Sequence, residues 1–270
     1  MREDRMQQQR FENKYLVREA TALQLREFVR SYLELDENGL GKANFAYPVH
    51  SLYIDSDQLK LYWETINGNK NRYKLRLRFY DDDSETPIFF EIKRRVNNCI
   101  LKQRGGVRRE AVRWLLAGHF PEPSHLLSKD PRHLIALQRF CQLMSELHGR
   151  PKVHVAYLRE AYVSTKDNSV RVTLDRQVRA EADLTARLAT RMGEPVDVFG
   201  KDVILELKFT NRFPDWFGEL VRIFDCVQCG AAKYVEGASA VGELRLGQEA
   251  ALFAQVAGET EFMKAFPVGY

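Results

Sequence analysis

The stretch RYKLRLRFY, residues 72–80, alternates basic and apolar side chains over most of its length. Successive side chains of an extended chain point to opposite faces, so its cations would share one face and its leucines the other. Residues 88–95 (IFFEIKRR) and 202–209 (DVILELKF) repeat the pattern, with glutamate and lysine on the polar face. We therefore predict amphipathic strands of an antiparallel sheet, each with one buried apolar face.

The same periodicities place the remaining elements around these strands. Further strands are predicted at residues 10–17, 47–55, 99–104, 152–163 and 169–176, and at 178–184 as a separate strand pairing with the one before it. Helices are predicted at residues 18–33, 56–66, 108–116, 131–148, 213–226 and 230–241. The pair Gly105-Gly106 is expected to end the strand that begins at residue 99.

Basic residues are concentrated in one part of a chain whose net charge is only +4. Between Lys70 and Arg113 there are thirteen Lys and Arg against six Asp and Glu. The small net charge argues against a protein that coats DNA generally, while a local basic block indicates either a solvated face or an anion site. For any single strand, the solvated face is the better interpretation.

The repetition of charged faces across seven predicted strands changes that balance. If these strands close into a barrel with helices on the outer apolar faces, the interior becomes a tunnel of like charges that repel unless an anion is bound. Polyphosphate suits such a tunnel, because Arg forms bidentate hydrogen bonds with phosphate oxygens and Lys offers a compact charge. The fold class predicted is therefore α+β, an antiparallel β-barrel with helices packed on the outside.

Carboxylates also fall on the polar faces, at Glu12, Glu91, Asp175 and Glu206. They would be misplaced in a site built only to attract anions. They suit Mg²⁺ or Mn²⁺, hard cations that bind one or two carboxylates together with phosphate oxygens. Cations and a metal in one cavity are typical of phosphoryl transfer, in which positioning and charge neutralisation supply most of the catalysis.

The composition is that of a globular chain, with 44% hydrophobic and 29% charged residues among 270. At this length a core forms without disulfides, so the four cysteines are not a framework. Residues 1–9 are predicted to be a flexible polar tail, and residues 10–270 a single domain. No stretch approaches the ~18 consecutive apolar residues of a membrane span. We expect a cytoplasmic protein, in which any membrane coupling would need another polypeptide.

Eight short motifs in a fixed order resemble the VTC (vacuolar transporter chaperone) domain, a branch of the CYTH or triphosphate tunnel metalloenzyme superfamily. Each motif is short, and their joint order carries the resemblance. They are RFENKY at 10–15, SLYID at 51–55, KLRLR at 74–78, FFEIK at 89–93, YLR at 157–159, RVTLD at 171–175, LELK at 205–208 and KYVEG at 233–237. The superfamily's Glu-x-Glu-x-Lys signature stands here as Arg10-x-Glu12-x-Lys14, which resembles the VTC branch.

The resemblance implies a role for particular residues. The catalytic residues, which would contact a triphosphate, are Lys14, Arg76, Arg78, Lys93, Arg159, Arg171 and Lys233. Further substrate-binding residues would be Lys74, Lys102, Arg104, Lys208 and Tyr157. Glu206 and Glu12 would hold the Mn²⁺ or Mg²⁺ ion.

The resemblance also implies a polyphosphate polymerase that moves the terminal phosphoryl group of ATP to a growing polyphosphate chain, so that ATP and polyphosphate are the partners. Two alternatives stay open: hydrolysis of tripolyphosphate or a nucleoside triphosphate, and a non-catalytic module that binds polyphosphate. Single-stranded nucleic acid is a weaker candidate for a basic groove with aromatic residues, and no sequence-specific nucleic acid binding is expected.

Two other motifs are interpreted as structural. Cys226-Val227-Gln228-Cys229 is a CxxC without a second pair at zinc spacing, and it falls on a predicted helix. Tyr53 and Phe89 could stack against a nucleotide base, but their strand parity makes core packing the better interpretation.

Overall fold

The computed structural model describes residues 11–97, 99–164, 169–210 and 212–247. The predicted tail at 1–9, Arg10 and residues 248–270 of the predicted domain lie outside the described residues. None of the described helices is long and apolar enough to cross a membrane.

Ten strands and six α-helices make up the described fold. The strands are β1 Phe11–Val17, β2 Glu34–Leu35, β3 Ala46–Asp55, β4 Asn71–Phe79, β5 Ile88–Val96, β6 Cys99–Val107, β7 Arg150–Val163, β8 Val170–Ala182, β9 Val196–Asp197 and β10 Val203–Phe209. The helices are α1 Glu19–Arg30, α2 Lys60–Ile66, α3 Val112–Leu116, α4 Pro131–Leu147, α5 Asp215–Ile223 and α6 Lys233–Val241.

All the strands belong to one sheet, in the order β1-β10-β8-β7-β3-β4-β5-β6, with β2 added to β7 and β9 added to β8. Each neighbouring pair is antiparallel. The two edges of this order meet, since β1 contacts β6, and Lys93 of the adjacent strand β5 lies 2.9 Å from Glu12 of β1. The predicted α+β class and antiparallel sheet are confirmed, and the sheet is strongly curved where a barrel was predicted.

Within the part of the chain that the structure describes, backbone hydrogen bonds do not close the barrel into a continuous cylinder. Among the described residues, no backbone ladder joins β1 to β6. The seam between these edges is bridged by side chains, including the ion pair of Lys93 with Glu12.

Helices cover the outer face wherever the strand alternation presents apolar residues. Leu77 of β4 and Phe90 of β5 pack in one cluster with Phe140 of α4. Leu205 of β10 packs with Leu25 of α1 and Phe217 of α5. The outside position predicted for the helices is thereby confirmed for α1, α4 and α5.

Helix α6 packs across one end of the curved sheet, at β7 and β8. Its Gly237 lies so close to the strands that an added Cβ would be 3.1 Å from Ala180 Cβ and 3.2 Å from Val155 Cγ2. Val155 and Tyr157 share one face of β7, and Tyr157 lines the cavity described below. The close approach of α6 therefore brings Lys233, at its first turn, to the charged face.

Strand β8 is one continuous element where two strands were predicted. Opposite Ala156 and Leu158 its register shifts between Arg179 and Arg176, and Gln177 has φ +51°. This bulge inserts one residue and reverses the parity of the later part of the strand. Arg171 before the bulge and Ala180 after it consequently face the same side of the sheet. In the sequence, this change in the alternation looks like the end of one strand and the start of another.

Two other predicted boundaries were wrong. Strand β6 continues through both glycines to Val107. A Cβ on residue 105 would lie 2.8 Å from the backbone oxygen of His133, so the glycine there permits the close approach of α4. Cys226 and Cys229 lie beyond the end of α5 and are not on a helix. Burial raises the pKa of the Cys226 thiol to about 11, which agrees with a structural role for it.

Candidate functional site

The inward faces of the strands line one large cavity of about 1600 Å³. All fourteen residues predicted for the site line it: Glu12, Lys14, Lys74, Arg76, Arg78, Lys93, Lys102, Arg104, Tyr157, Arg159, Arg171, Glu206, Lys208 and Lys233. The volume exceeds the roughly 300–1000 Å³ of an ordinary small-molecule pocket. The prediction that alternate side chains of many strands converge on a shared cavity is thus confirmed, while their roles stay predictions.

The wall formed by β4, β5 and β6 is organised around Glu91. Its carboxylate has no exposed surface and lies 2.6 Å from Arg76 Nη2 and 2.6 Å from Lys102 Nζ. Burial opposes ionisation of Glu91, but Lys102 and Arg76 outweigh it and hold the pKa well below its usual range. Burial lowers the pKa of Lys102 to about 7 although Glu91 favours its charged form. Glu91 therefore serves as a counter-charge beneath the cations.

Arg78 is buried on the same wall and is held by hydroxyl groups. It donates from Nη2 to Tyr157 Oη at 3.0 Å and to Ser51 Oγ at 3.2 Å. The ring of Tyr157 lies 5.1 Å from the guanidinium of Arg159 and 5.0 Å from Lys233 Nζ. Tyr157 thus contacts three cations and fixes their relative positions.

The opposite wall is organised around Asp175 of β8. Arg159 donates to both of its carboxylate oxygens at 2.7 Å, and Lys233 Nζ lies 2.6 Å from Oδ2. Burial alone would lower the pKa of Lys233, but Asp175 and Glu206 raise it, so the amine is a permanent cation. Asp175 is fully buried.

Glu206 joins this wall to β1. Its Oε1 accepts from Lys233 at 2.8 Å and lies 3.8 Å from Lys14 Nζ, while Oε2 contacts Lys208 and accepts from Arg159 at 3.3 Å. Burial opposes ionisation of Glu206, but Lys208 and Lys233 keep its pKa well below the usual range. Burial lowers the pKa of Lys208 to about 7, although the carboxylate of Glu206 favours its charged form.

Glu12 completes the ring at the seam. Its Oε2 accepts from Lys93 at 2.9 Å and its Oε1 lies 3.3 Å from Lys14 Nζ. Burial opposes its ionisation, yet Lys93 holds the pKa below its usual range. Towards one end of the cavity, Arg171 contacts Tyr47 Oη at 3.3 Å and Asp36 Oδ2 at 3.2 Å. Arg104 lies over the ring of Phe89 at 4.7 Å.

The four carboxylates weighed as metal ligands fall into two groups. Glu91 and Asp175 are absent from the lining of the cavity, because arginine and lysine side chains contact and cover them, and a metal-binding role for them stays a prediction. Glu12 and Glu206 line the cavity, and Lys14 contacts both. The two groups differ in how deeply their side chains are buried, and the alternation of a strand does not predict the depth of burial.

Glu12 and Glu206 are the carboxylates that could hold the divalent metal implied by the family resemblance. The described residues contain no group of three or more His, Cys, Asp or Glu able to hold a metal ion. Mg²⁺ commonly takes one or two carboxylates and completes its shell with water and phosphate oxygens. Glu12 and Glu206 therefore fit a metal that enters with a phosphate chain, and do not form an all-protein cage.

Tyr53 is a cavity residue for which core packing was the better interpretation. It is 5% exposed, its ring is stacked on Tyr234 at 4.8 Å, and its hydroxyl lies 3.4 Å from Arg76 Nη1. Burial opposes ionisation, but Arg76 and Arg78 outweigh it and lower the pKa of Tyr53. In the sequence, the alternation of Tyr53 with Leu52 and Ile54 in SLYID was the feature that could have indicated its position on the cavity face.

Comparison with known proteins connects this cavity to one family. The family model described as the VTC domain matches residues 9–241. A vacuolar transporter chaperone complex subunit 2 of Schizosaccharomyces pombe is 26% identical over 148 residues, which are 52% of this chain and 20% of that protein. The aligned part thus spans about a fifth of that relative.

Two solved structures share only a distant likeness. A putative adenylate cyclase from Bacillus halodurans has a TM-score of 0.48 at 14% identity, covering 82% of this chain and 92% of that one. A protein from Pyrococcus horikoshii has a TM-score of 0.41 at 12% identity, covering 84% of this chain and 96% of that one.

Proposed function

Because this chain belongs to the VTC domain family, we propose that its cavity binds ATP and a polyphosphate chain and transfers the terminal phosphoryl group of ATP to that chain. The observation that carries the proposal is the convergence of eleven lysines and arginines predicted for the site on one cavity, together with Glu12 and Glu206. Cations in this number suit a ligand with a negative charge on every phosphate.

The reaction transfers one phosphoryl group between two phosphate oxygens. A terminal oxygen of the polyphosphate attacks the γ-phosphorus of ATP, and the bond from that phosphorus to the β,γ-bridging oxygen breaks. ADP leaves with the bonding electron pair, and the chain is longer by one phosphate. The attacking oxygen is already an anion, so the reaction needs neither a protein nucleophile nor a general base.

The side chains of the cavity would contribute positioning and charge neutralisation. Arg76 and Arg159 are each oriented by a buried carboxylate, so their free donors are fixed before a ligand arrives. Lys233 lies between Asp175 and Glu206 and stays charged. Glu12 and Glu206 would hold Mn²⁺ or Mg²⁺, which would neutralise charge on the phosphate oxygens.

The direct test incubates the purified protein with ATP and Mn²⁺ or Mg²⁺, and separates the products by gel electrophoresis. A polymerase forms long chains and releases one molecule of ADP for each phosphate that it adds. Release of inorganic phosphate without chain growth indicates the hydrolase alternative. Absence of both products, with either metal, contradicts enzymatic activity.

A non-catalytic polyphosphate-binding module is the second candidate, and one observation favours it. Glu206 is already contacted by Lys14, Arg159, Lys208 and Lys233, so a metal would compete with four cations for its oxygens. Such a module binds polyphosphate in a salt-sensitive way and turns nothing over. Competition between polyphosphate and RNA of equal charge would separate it from a nucleic acid binder.

The proposal also covers the partner and the cellular location of the protein. The S. pombe relative is named as a subunit of a complex, and we extend that property to this chain, with a separate polypeptide as its partner. Co-purification of the tagged protein from its source would identify such a partner. We place the chain in the cytoplasm, where ATP is available.

A further inference from the structure

Lys74 differs from the other lysines of the cavity in its surroundings. It lies on β4 between Arg72 and Arg76, on the face that lines the cavity. Its cross-strand neighbour on β5 is another lysine, Lys93. Like charges placed directly opposite each other on neighbouring strands are destabilising.

The other lysines predicted for the site each contact a carboxylate, with pairs Lys14–Glu12, Lys93–Glu12, Lys102–Glu91, Lys208–Glu206 and Lys233–Asp175. Lys74 has no such contact: within the described parts of the chain, no hydrogen bond or ion pair involves its side-chain amine. The closest compensating group is the ring of Tyr234, whose centroid is 5.8 Å from Lys74 Nζ. This distance is near the limit of a cation–π interaction.

The groups around Lys74 on the surrounding elements are cationic, uncharged, or carboxylates that other groups already engage, namely Asp55 and Glu12. Lys14 faces it from β1, Lys93 from β5, and Arg72 and Arg76 from its own strand, while α6 contributes the phenol of Tyr234. The Tyr234 hydroxyl donates to Asp55 at 2.5 Å and is not available to the amine. The nearby carboxylate of Glu12 is engaged by Lys14 and Lys93.

We propose that Lys74 is an uncharged amine in the ligand-free cavity and that it takes up a proton when a phosphate chain enters, so that anion binding is coupled to proton uptake. The coupling deepens the proposed function and rests on it. A phosphate oxygen beside Lys74 would supply the counter-charge that the protein omits there. Lys74 would thereby act as a positioning and affinity-setting residue that responds to occupancy.

The direction of the effect is set by the charges. Burial first, and then the four neighbouring cations, lower the pKa of Lys74 well below the ordinary 10.5. A bound anion favours the protonated amine and so raises that pKa again. Between the two values the complex holds more protons than the free protein, so the affinity for phosphate chains falls as the pH rises through this window.

Isothermal titration calorimetry with inorganic tripolyphosphate, in two buffers of different ionisation enthalpy, measures the protons taken up. The pH is set between neutrality and 10.5, and the full chain is used. We expect Lys74→Arg to bind tripolyphosphate but to take up fewer protons than the unchanged protein, by up to one per site, because arginine stays protonated. Lys233→Arg is the matched control, since Asp175 and Glu206 raise the pKa of Lys233 and keep its amine charged, and its proton uptake should equal that of the unchanged protein.

The outcomes separate the two proposals. Equal proton uptake by the unchanged protein and Lys74→Arg, with tripolyphosphate bound by both, overturns the role of Lys74 and leaves the proposed function standing. Failure of the unchanged protein to bind tripolyphosphate overturns the proposed function itself.

A second measurement on the unchanged protein covers a variant that fails to fold. Only the neutral amine reacts with acetic anhydride, so mass spectrometry of the labelled protein across pH reports the titration of Lys74 directly. We expect a midpoint below 10.5 and protection by tripolyphosphate. A midpoint at or above 10.5 overturns the proposal.

Discussion

Arg76 and Glu91 form an ion pair in which Arg76 faces the cavity and Glu91 has no exposed surface. The pair lies directly across two neighbouring strands, since Arg76 of β4 is the register partner of Glu91 of β5. Glu91, like Asp175 beside Arg159, thus lies beneath the cations and orients a guanidinium group without lining the cavity.

Removing Glu91 should destabilise the fold. Glu91→Ala leaves Arg76 and Lys102 without their buried partner, and breaking a buried pair in this way costs about 3–5 kcal/mol of unfolding free energy. Urea denaturation measures the loss. Glu110→Ala, at an exposed glutamate, is the control and should change the free energy by less than about 0.5 kcal/mol. Equal stability of the two variants would contradict the role of Glu91 as a counter-charge.

The hydroxyl and the ring of Tyr157 should make separable contributions to anion binding. Tyr157→Phe removes the hydrogen bond from Arg78 and keeps the ring beside Arg159 and Lys233, whereas Tyr157→Leu removes both. A hydrogen bond to a charged group is worth about 1.5–3 kcal/mol, so we expect the phenylalanine variant to bind tripolyphosphate roughly tenfold or more weakly. The leucine variant should bind more weakly still, as measured by calorimetry. Identical affinities for all three proteins would refute the arrangement.

Glu206→Gln should distinguish an enzyme from a binding module. If Glu206 holds a metal needed for transfer, the substitution abolishes ADP formation while tripolyphosphate still binds, since it removes a negative charge from a site for anions. Glu236→Gln, at an exposed glutamate that also lines the cavity, is the matched control and should retain turnover. Full turnover by Glu206→Gln would remove Glu206 from the metal site.

Stability should fall with acidity because of a histidine pair outside the cavity. His50 Nδ1 lies 3.0 Å from His154 Nε2, both rings are buried, and burial followed by His154 lowers the pKa of His50 to about 4. Burial also lowers the pKa of His154. The unfolded chain, with pKa values near 6.5, therefore binds more protons between pH 6.5 and about 4 than the folded protein does.

The unfolding free energy should accordingly decrease as the pH falls through that window, by about 3 kcal/mol or less for His50. Thermal melts at several pH values measure it. His154→Gln should flatten the pH dependence, and His148→Asn, at an exposed site with positive φ that asparagine tolerates, should not. A melting temperature that is independent of pH would contradict the effect of the buried pair.

Strand parity predicted the side of the sheet on which each charged residue lies, because alternation is a local property of the backbone. It placed Arg76, Lys93 and Glu206 in one cavity correctly. It could not rank them by depth, so Glu91 and Asp175 were grouped with Glu206. It also could not anticipate Gln177, where one inserted residue reverses the phase of β8.

Partner choice within the cavity was also beyond the sequence. Lys74 and Lys102 have the same residue type and the same inward parity, yet only Lys102 contacts a carboxylate. Cross-strand register does not explain the difference, because Lys93 is the register partner of both lysines. Lys102 instead reaches diagonally to Glu91, and the direction that a long side chain takes cannot be deduced from the alternation of one strand.

The seam between β1 and β6 runs beside the cavity, since Glu12 of β1 and Lys102 of β6 both line it. Separating these edges breaks the ion pair of Lys93 with Glu12 but, among the described residues, no backbone ladder between them. Under the function proposed above, a long polymer would therefore have a lateral way out and would not need to be threaded through an end of the tunnel.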